Sequence, residues 1–491
     1  MENKDAIPGN TILKRRPPAQ MLEGGFLPQA SLVSSIYEKA ALMKHRKQSF
    51  AVLPTRHYAD KTKKKEGTAM RREIIRQVAL AALMVPSLLL VGLAEVASAQ
   101  SLWEQSRLTG DWGGARSQLE AAGVTVDLEY TQFYQGLVSG TGPKTPNYGG
   151  RMDGFVKLDT GKLGLWEGGA LNTHIEDRFG PLAGSLGGTF FPTNAAMEFP
   201  GESPATLVAT SIYLSQQLGD RASLLIGKIN ALDLFANDLF FGGWGIRRFI
   251  NTIFVAPPSG LIPPVFYGAI ANVRLDPVTL SLWVYDPDDR TKDYCPNLFA
   301  NGVSFNLSAA YATEIAGRPT TFSLNGIYTT KAGPDFSSVS VDLVNGGLET
   351  TNKEGSYSIG FQLSHLLYQN PGNPKQGWGL FLKGSISDGN PNYVKASIYG
   401  GIGGTGLFRG RELDSFGVGY YYYDLSDDLE DTLTRLSRGL IGFGDEQGVE
   451  VYYSYAVTPW LYITGDLQLI ETPSDAKENA FIAGLRTNIR F

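Results

Sequence analysis

The chain has 491 residues, with 43 Lys and Arg against 48 Asp and Glu, a formal net charge of −5. One cysteine, Cys295, excludes an internal disulfide framework and any multi-cysteine zinc or iron–sulfur site, and only two of the four histidines, His174 and His365, lie beyond residue 100. From Gln100 onward 27 Lys and Arg face 40 Asp and Glu, a balance that argues against a nucleic-acid partner, which needs a basic surface to displace phosphate counterions.

Two kinds of polypeptide meet at Gln100. Only 5 of the 58 glycines and none of the 7 tryptophans precede it, so the Gly- and aromatic-rich part is confined to residues 100–491. Residues 1–69 carry 13 Lys and Arg against 6 Asp and Glu and show no sustained periodicity. They read as a spurious or disordered extension, with translation starting at Met70. From there Arg71, Arg72 and Arg76 form a basic head, Val78 to Leu93 an apolar run broken by Pro86, and Ala97-Ser98-Ala99 a small-residue cleavage motif. That is the architecture of a secretory signal over 70–99, cleaved near Ala99. The alternative, a transmembrane helix, needs about 20 apolar residues.

Near the start of the exported part, Asp111 is placed to cap a short helix over Arg116–Ala122, which Gly123 closes. That helix is expected at the mouth of the fold or inside it. Beyond it no apolar stretch approaches the length of a membrane helix, and residues alternate instead. In Val124–Tyr130 the apolar set Val124, Val126, Leu128, Tyr130 alternates with Thr125, Asp127, Glu129. The same period of two recurs over 303–311, 321–328, 357–364 and 461–469. Turn-forming residues mark loops at Ser139–Gly150, Gly180–Pro204, Ala256–Pro264, Asp286–Asn297 and Gln369–Gln376.

A soluble sandwich would also alternate, with its apolar face inward. Three features point instead to an antiparallel transmembrane β-barrel of the all-β class in the outer membrane of a Gram-negative cell. The polar faces are rich in Gly, Ser, Asn and charge, as a water-filled lumen requires. Aromatic clusters at Tyr420–Tyr423, Tyr452, Tyr453, Tyr455 and Trp460 suit interfacial girdles. The last strand, with Phe481, Ala483, Leu485, Thr487 and Ile489 on one face, ends on Phe491, the kind of terminus that barrel-assembly machinery reads. The 392 residues from Gln100 give about 24.5 per strand for 16 strands and about 21.8 for 18, so length leaves the number open.

Residues Ser101–Val126, around Leu108-Thr109-Gly110-Asp111-Trp112-Gly113-Gly114, resemble the N-terminal signature of the carbohydrate-selective porin (OprB-type) family. Further resemblances follow in order: Gly227–Gly243, Tyr285–Thr291, Phe299–Phe305, Asp388–Asn392, Gly406–Tyr420 and Val449–Pro473. The last block departs from the family pattern, reading GDLQLIETPSD where the family has a glycine-bearing turn. The resemblance implies a 16-stranded barrel that passes sugars, chiefly monosaccharides, down their gradient, with no cofactor, no metal and no covalent chemistry.

A sugar-selective pore needs a constriction of rigid hydrogen-bonding groups and aromatic faces. The strongest local candidate is His174, Glu176, Asp177 and Arg178, before the long loop from Gly180; Asn172, His174 and Glu176 share a polar face that Arg178 continues. The competing reading is an ion-pair network that only braces the loop. Arg247, Arg248, Arg409 and Arg411 could supply donors, or could form rim salt bridges and lipopolysaccharide contacts. Trp244 and Trp283 could stack on sugar or simply pack. Arg151 with Asp153, and Lys383, are weaker lumen candidates. Cys295 reads as an unpaired loop cysteine. Expected partners are carbohydrate solutes, outer-membrane lipid and lipopolysaccharide, the assembly machinery at Phe491, and two further copies in a homotrimer. The alternatives are a channel for anions or aromatic acids and, less well supported with two histidines and no GxSxG elbow, a barrel hydrolase.

Overall fold

The computed structural model describes residues 102–491 apart from 183, 200–206, 257, 260, 295 and 343–346. The extension, the signal and Cys295 therefore lie outside the described residues. Sixteen strands hydrogen-bond to their chain neighbours, all antiparallel, and the last pairs with the first to close a barrel. In chain order they are β1 Val124–Ser139, β2 Asn147–Asp159, β3 Gly169–Phe179, β4 Val208–Leu218, β5 Ala222–Asn230, β6 Val265–Leu275, β7 Val278–Tyr285 and β8 Ser304–Ile315. The circuit continues with β9 Arg318–Thr329, β10 Ser356–Asn370, β11 Asn373–Ser387, β12 Val394–Thr405, β13 Ser415–Leu425, β14 Glu446–Thr458, β15 Leu461–Glu471 and β16 Ala480–Arg490. Closure leaves no strand edge with unpaired backbone groups, the condition for crossing hydrocarbon.

Alternation decides which way each residue faces. On β8 to β10 the row Phe305, Leu307, Tyr311, Phe322, Leu324, Tyr328, Tyr357, Ile359, Leu363 is exposed on the outside, while Ser304, Asn306, Ser308, Ser323, Asn325, Ser358 and Gln362 point inward. Such an exposed apolar belt is unfavourable in water and matches the outward apolar band of membrane barrels. No helix among the described residues is long and apolar enough to span a membrane.

The two ends of the barrel differ. One end carries mostly tight turns, four of them two residues long, at 276–277, 316–317, 371–372 and 459–460. At 316–317 both Ala316 and Gly317 have positive φ, 52° and 70°, the left-handed pair that a two-residue hairpin demands. The other end carries the long connections 180–207, 231–264, 286–303, 330–355 and 426–445. In the last of these, α4 (Asp427–Leu436) is capped by Ser426, whose hydroxyl accepts from the Leu429 amide at 3.3 Å.

Two expectations shift in register. The loop expected over Gln369–Gln376 is mostly strand, because Pro371-Gly372 alone makes the turn. The short helix is α1 (Ala115–Ala121), preceded by a 3₁₀ turn over Trp112–Gly114, and Asp111 does not cap it in the ordinary way. Its carboxylate instead accepts from the Ser117 amide and hydroxyl at 2.9 and 2.8 Å. α1 packs at the tight-turn end, where Arg116 donates to the Phe491 carbonyl at 3.1 Å.

The aromatic girdle is also only half as expected. Tyr420, Tyr453 and Tyr455 face outward, but Tyr421, Tyr423 and Tyr452 have the opposite parity and are buried in the lumen.

Candidate functional site

The interior is not an open tube. Segments of the β3–β4 and β5–β6 connections fold into it and are fastened to the wall by buried side chains. In the β3–β4 connection, Thr193 and the short helix α2 (Ala195–Glu198) are held from β1, β2, β3 and β15. Arg151 donates to the carbonyls of Ala196 and Phe199 at 3.0 and 3.1 Å, Arg178 to Met197 at 2.9 Å, and Gln468 to Thr193 at 3.0 Å.

The β5–β6 connection reaches deeper. Its turn Gly243-Trp244-Gly245 has positive φ throughout (92°, 51°, 79°), which glycine accepts freely and tryptophan does not. Packing holds Trp244 there: its ring stacks on Phe155 (centroids 5.8 Å apart, planes at 18°) and lies against His174 at 5.4 Å. Just beyond, Glu450 on β14 accepts from the Ile250 and Asn251 amides at 2.5 and 3.0 Å. Arg486 on β16 donates to the Gly245 and Arg248 carbonyls, and Arg247 pairs with Glu129 on β1. Phe249 and Phe254 (the latter in α3, Thr252–Val255) then press on β12 and β13 where inward positions 401, 403, 417 and 419 are all glycine. A Cβ at Gly417 would lie 2.6 Å from Phe249 Cζ, and one at Gly419 2.5 Å from Phe254 Cε1. Gly417 and Gly419 seat these two rings.

The cluster singled out in the sequence lies between these two loops. His174 (1% exposed) places Nε2 3.0 Å from Asp153 and Nδ1 2.9 Å from Asp233, which belongs to the 3₁₀ turn Ala231–Phe235 of the β5–β6 connection. An imidazolium donating from both nitrogens satisfies both carboxylates. Arg151 (0% exposed) holds Asp153 at 2.8 Å and Glu176 at 3.0 Å. Asp153, His174 and Glu176 have ligand atoms close enough to hold a metal ion, but the guanidinium of Arg151 already occupies both carboxylates, a poor setting for a second cation. Two cations and three carboxylates thus tie β2 and β3 to both inserted loops.

The other named residues scatter. Asp177 has the opposite parity to His174 and Glu176, so it faces away from the cluster. Arg178 joins it at the loop side. Arg247 and Arg248 remain partly exposed on the inserted loop. Arg409 and Arg411 lie in the 406–414 turn at the opposite end of the barrel. There Arg409 is exposed, and Arg411 binds Asp414 and covers the Tyr455 ring at 3.9 Å. Trp283 points inward on β7, packed on Phe266. Lys383 points inward on β11, its ammonium 3.6 Å from the Phe241 ring centroid.

What sequence reasoning missed is the crossing itself. Phe235 packs beside Trp283 of β7 (6.4 Å), and six residues later Phe241 packs edge-on against Phe381 of β11 (4.9 Å). The segment 235–241 is therefore a chord across the lumen that cuts off the arc of β8, β9 and β10. From Ser304 to Ala312, from Thr321 to Thr329 and from Ser356 to Leu366, every inward side chain on that arc is uncharged. Five phenylalanines in one loop, with glycines at alternate positions of a later strand, were the available signal.

The comparisons with known proteins agree with this architecture. Residues 144–491 match the model of the carbohydrate-selective porin, OprB family. The chain is 25% identical over 443 residues to QuiX of Acinetobacter baylyi, covering 81% of this chain and 96% of that protein. It is 23% identical over 453 residues to porin B of Pseudomonas aeruginosa, covering 81% and 93%. The high-pH structure of Pseudomonas putida OprB superposes with a TM-score of 0.69 at 20% identity, covering 80% of this chain and all of that one. The barrel, its inserted loops and these matches make this chain a member of the carbohydrate-selective porin, OprB family, an outer-membrane β-barrel porin.

Proposed function

We propose that the protein is a passive outer-membrane channel for small neutral sugars, monosaccharides such as glucose foremost. Solute passes along the β8–β10 arc, and the charged cluster around His174 serves by fixing the loops that set the width of the passage. The observation that carries this reading is the chord 235–241, which leaves a passage walled by hydroxyl and amide groups such as Ser308, Ser323, Asn325 and Gln362. Neutral donors and acceptors exchange hydrogen bonds with sugar hydroxyls without the desolvation cost of a charge, so binding stays weak enough to release. Arg247 and Arg248, partly exposed on the loop, are the remaining candidates for direct contact with solute.

Purified protein in planar bilayers tests this. Ohmic channels whose current glucose reduces in a saturable way are expected; channels indifferent to every sugar, with strong anion selectivity, would transfer the reading to anions or aromatic acids, which Lys383 at the edge of the arc and the partly exposed Arg247 and Arg248 would favour. A hydrolase is the poorer alternative, since His174 is locked between Asp153 and Asp233 and His365 lies on the outer wall beside Thr320.

The same reading has the 70–99 signal removed near Ala99, which mass spectrometry of the outer-membrane form would show as a mature chain starting at Gln100. Phe491 is buried behind α1 in the closed barrel, so assembly machinery would read it before closure. Lipid and lipopolysaccharide would cover the outer belt, and cross-linking in the membrane would report a trimer.

A further inference from the structure

The block Leu108–Gly114 lies before β1 at the tight-turn end, and the solute passage makes no use of it. Its conformation is unusual. Trp112, Gly113 and Gly114 all have positive φ (52°, 68° and 91°), which the glycines accept freely and the tryptophan does not. The Trp112 indole N–H is held by Thr109 Oγ1 at 3.0 Å, and its ring lies under the Arg116 guanidinium, 4.2 Å from the centroid. The turn thus sets Arg116 in place.

What Arg116 reaches is the seam. A closed barrel has one strand pair that no connection joins, here β1 with β16. Its ladder starts at Glu129 and Arg490, so residues 124–128 of β1 pair with β2 on one side and have no β16 rung on the other. The segment before β1 crosses that gap. Arg107 Nε donates to Asp127 of β1 at 2.9 Å, and the Leu108 amide donates to the Arg490 carbonyl of β16 at 2.8 Å. Arg116, 5% exposed, donates to the Phe491 carbonyl at 3.1 Å with Nη1 3.9 Å from Asp127. In the β14–β15 turn, the Trp460 indole donates to the Leu102 carbonyl at 2.8 Å.

These anchors come from β1, β16 and the β14–β15 turn, and they stand side by side only when the barrel is closed. We infer that residues 102–123 form a clasp across the barrel seam, set after β1 and β16 have paired, with Arg107 and Arg116 as its two fastenings. An open strand edge is where a closed sheet can begin to unzip, and the clasp covers the edge left by 124–128. Contacts made after the folding barrier slow unfolding and leave the folding rate alone. The clasp also guards the constriction: at the first rung beyond it, Glu129 holds Arg247 of the inserted β5–β6 loop and accepts from Asn488 of β16 at 3.4 Å.

The test compares the full chain with its Arg107→Met and Arg116→Met variants in detergent and in lipid vesicles. Hydrogen exchange would be followed at residues 130–134 and 485–489 of the seam and at 305–311 on the opposite wall. Both variants are expected to accelerate seam exchange about tenfold and to leave β8 within about twofold of wild type. Both should unfold about tenfold faster in urea, with refolding rates into vesicles within about twofold. If Arg116→Met alone does not assemble, Arg107→Met decides. Seam exchange unchanged, or seam and β8 accelerated alike, would overturn the clasp. Slowed refolding with unchanged unfolding, or failure of both variants to assemble, would also overturn it, because the segment would then act before closure.

Discussion

The two halves of the barrel wall use opposite chemistry. On β1 to β3 and β14 to β16 the inward face carries Glu129, Arg151, Asp153, His174, Glu176, Glu450, Asp466 and Arg486, all buried and most of them holding an inserted loop. On β8 to β10 the inward face over 304–312, 321–329 and 356–366 carries serine, threonine, asparagine, glutamine, glycine and apolar groups, and much of it remains accessible. Charges in this porin are spent on shape, because an ion pair sealed from water fixes geometry strongly and a neutral hydrogen-bonding surface lets a neutral solute go. A residue type suited to touching sugar is thus used mainly to position backbone.

The sharpest way to break the charged half is Arg151→Met. It leaves Asp153 and Glu176 without their guanidinium and frees the Ala196 and Phe199 carbonyls. Removing one partner of such a buried network costs about 3–5 kcal/mol, which urea unfolding in detergent would register as a large drop in midpoint, with noisy, larger channels from a loosened loop. An unchanged midpoint would mean the network does not brace the loops.

A smaller effect is expected from Gly419→Ala, whose new Cβ meets the Phe254 ring; overpacking there costs about 1–3 kcal/mol and widens the channel by displacing the loop. Gly326→Ala on β9, where nothing lies within 4 Å, is the matched control and should leave conductance and stability alone.

On the neutral half, Asn325→Asp should change stability by no more than about 0.5 kcal/mol while shifting the reversal potential toward cations. A stability loss comparable to that of Arg151→Met would erase the distinction between the halves.

The smallest effect lies outside the membrane, in α4. Burial, with Asp445, Asp424, Asp427 and Asp431 nearby, pushes the Glu430 carboxyl up to about 7. The folded helix therefore prefers Glu430 protonated; the penalty for its charge is absent below about pH 4.3, the unfolded value, and complete above pH 7. Amide protection of residues 427–436, corrected for intrinsic exchange, should fall between about pH 4.3 and 7 and level off above, and Glu430→Gln should flatten that dependence.

Much of this was legible from residue order alone. Period-two alternation places the strands, and the parity of Asn172, His174 and Glu176 puts them inward because a strand has only two faces. The role of that row was not legible. His174 acquires its meaning from Asp233, 59 residues away, and Arg151 from carbonyls of a loop that local pattern reads as surface. Tyr421, Tyr423 and Tyr452 misled for a related reason: a run of tyrosines covers both faces of a strand, and only the inserted Phe254, Phe191 and Phe249, which pack on them in turn, explain why half of them are buried inside. Asp177 failed on parity, which adjacency in sequence conceals.

The lone cysteine offers the most direct test of the division. In a Cys295→Ser background, single cysteines at Ser323 on the neutral arc and at Thr131, inward and fully buried on the charged side, would be treated with a water-soluble thiosulfonate while channel current is recorded. The division predicts that Ser323→Cys reacts quickly, loses current and is protected by glucose, whereas Thr131→Cys does not react. Rapid reaction and current loss at Thr131→Cys, with Ser323→Cys inert, would contradict it.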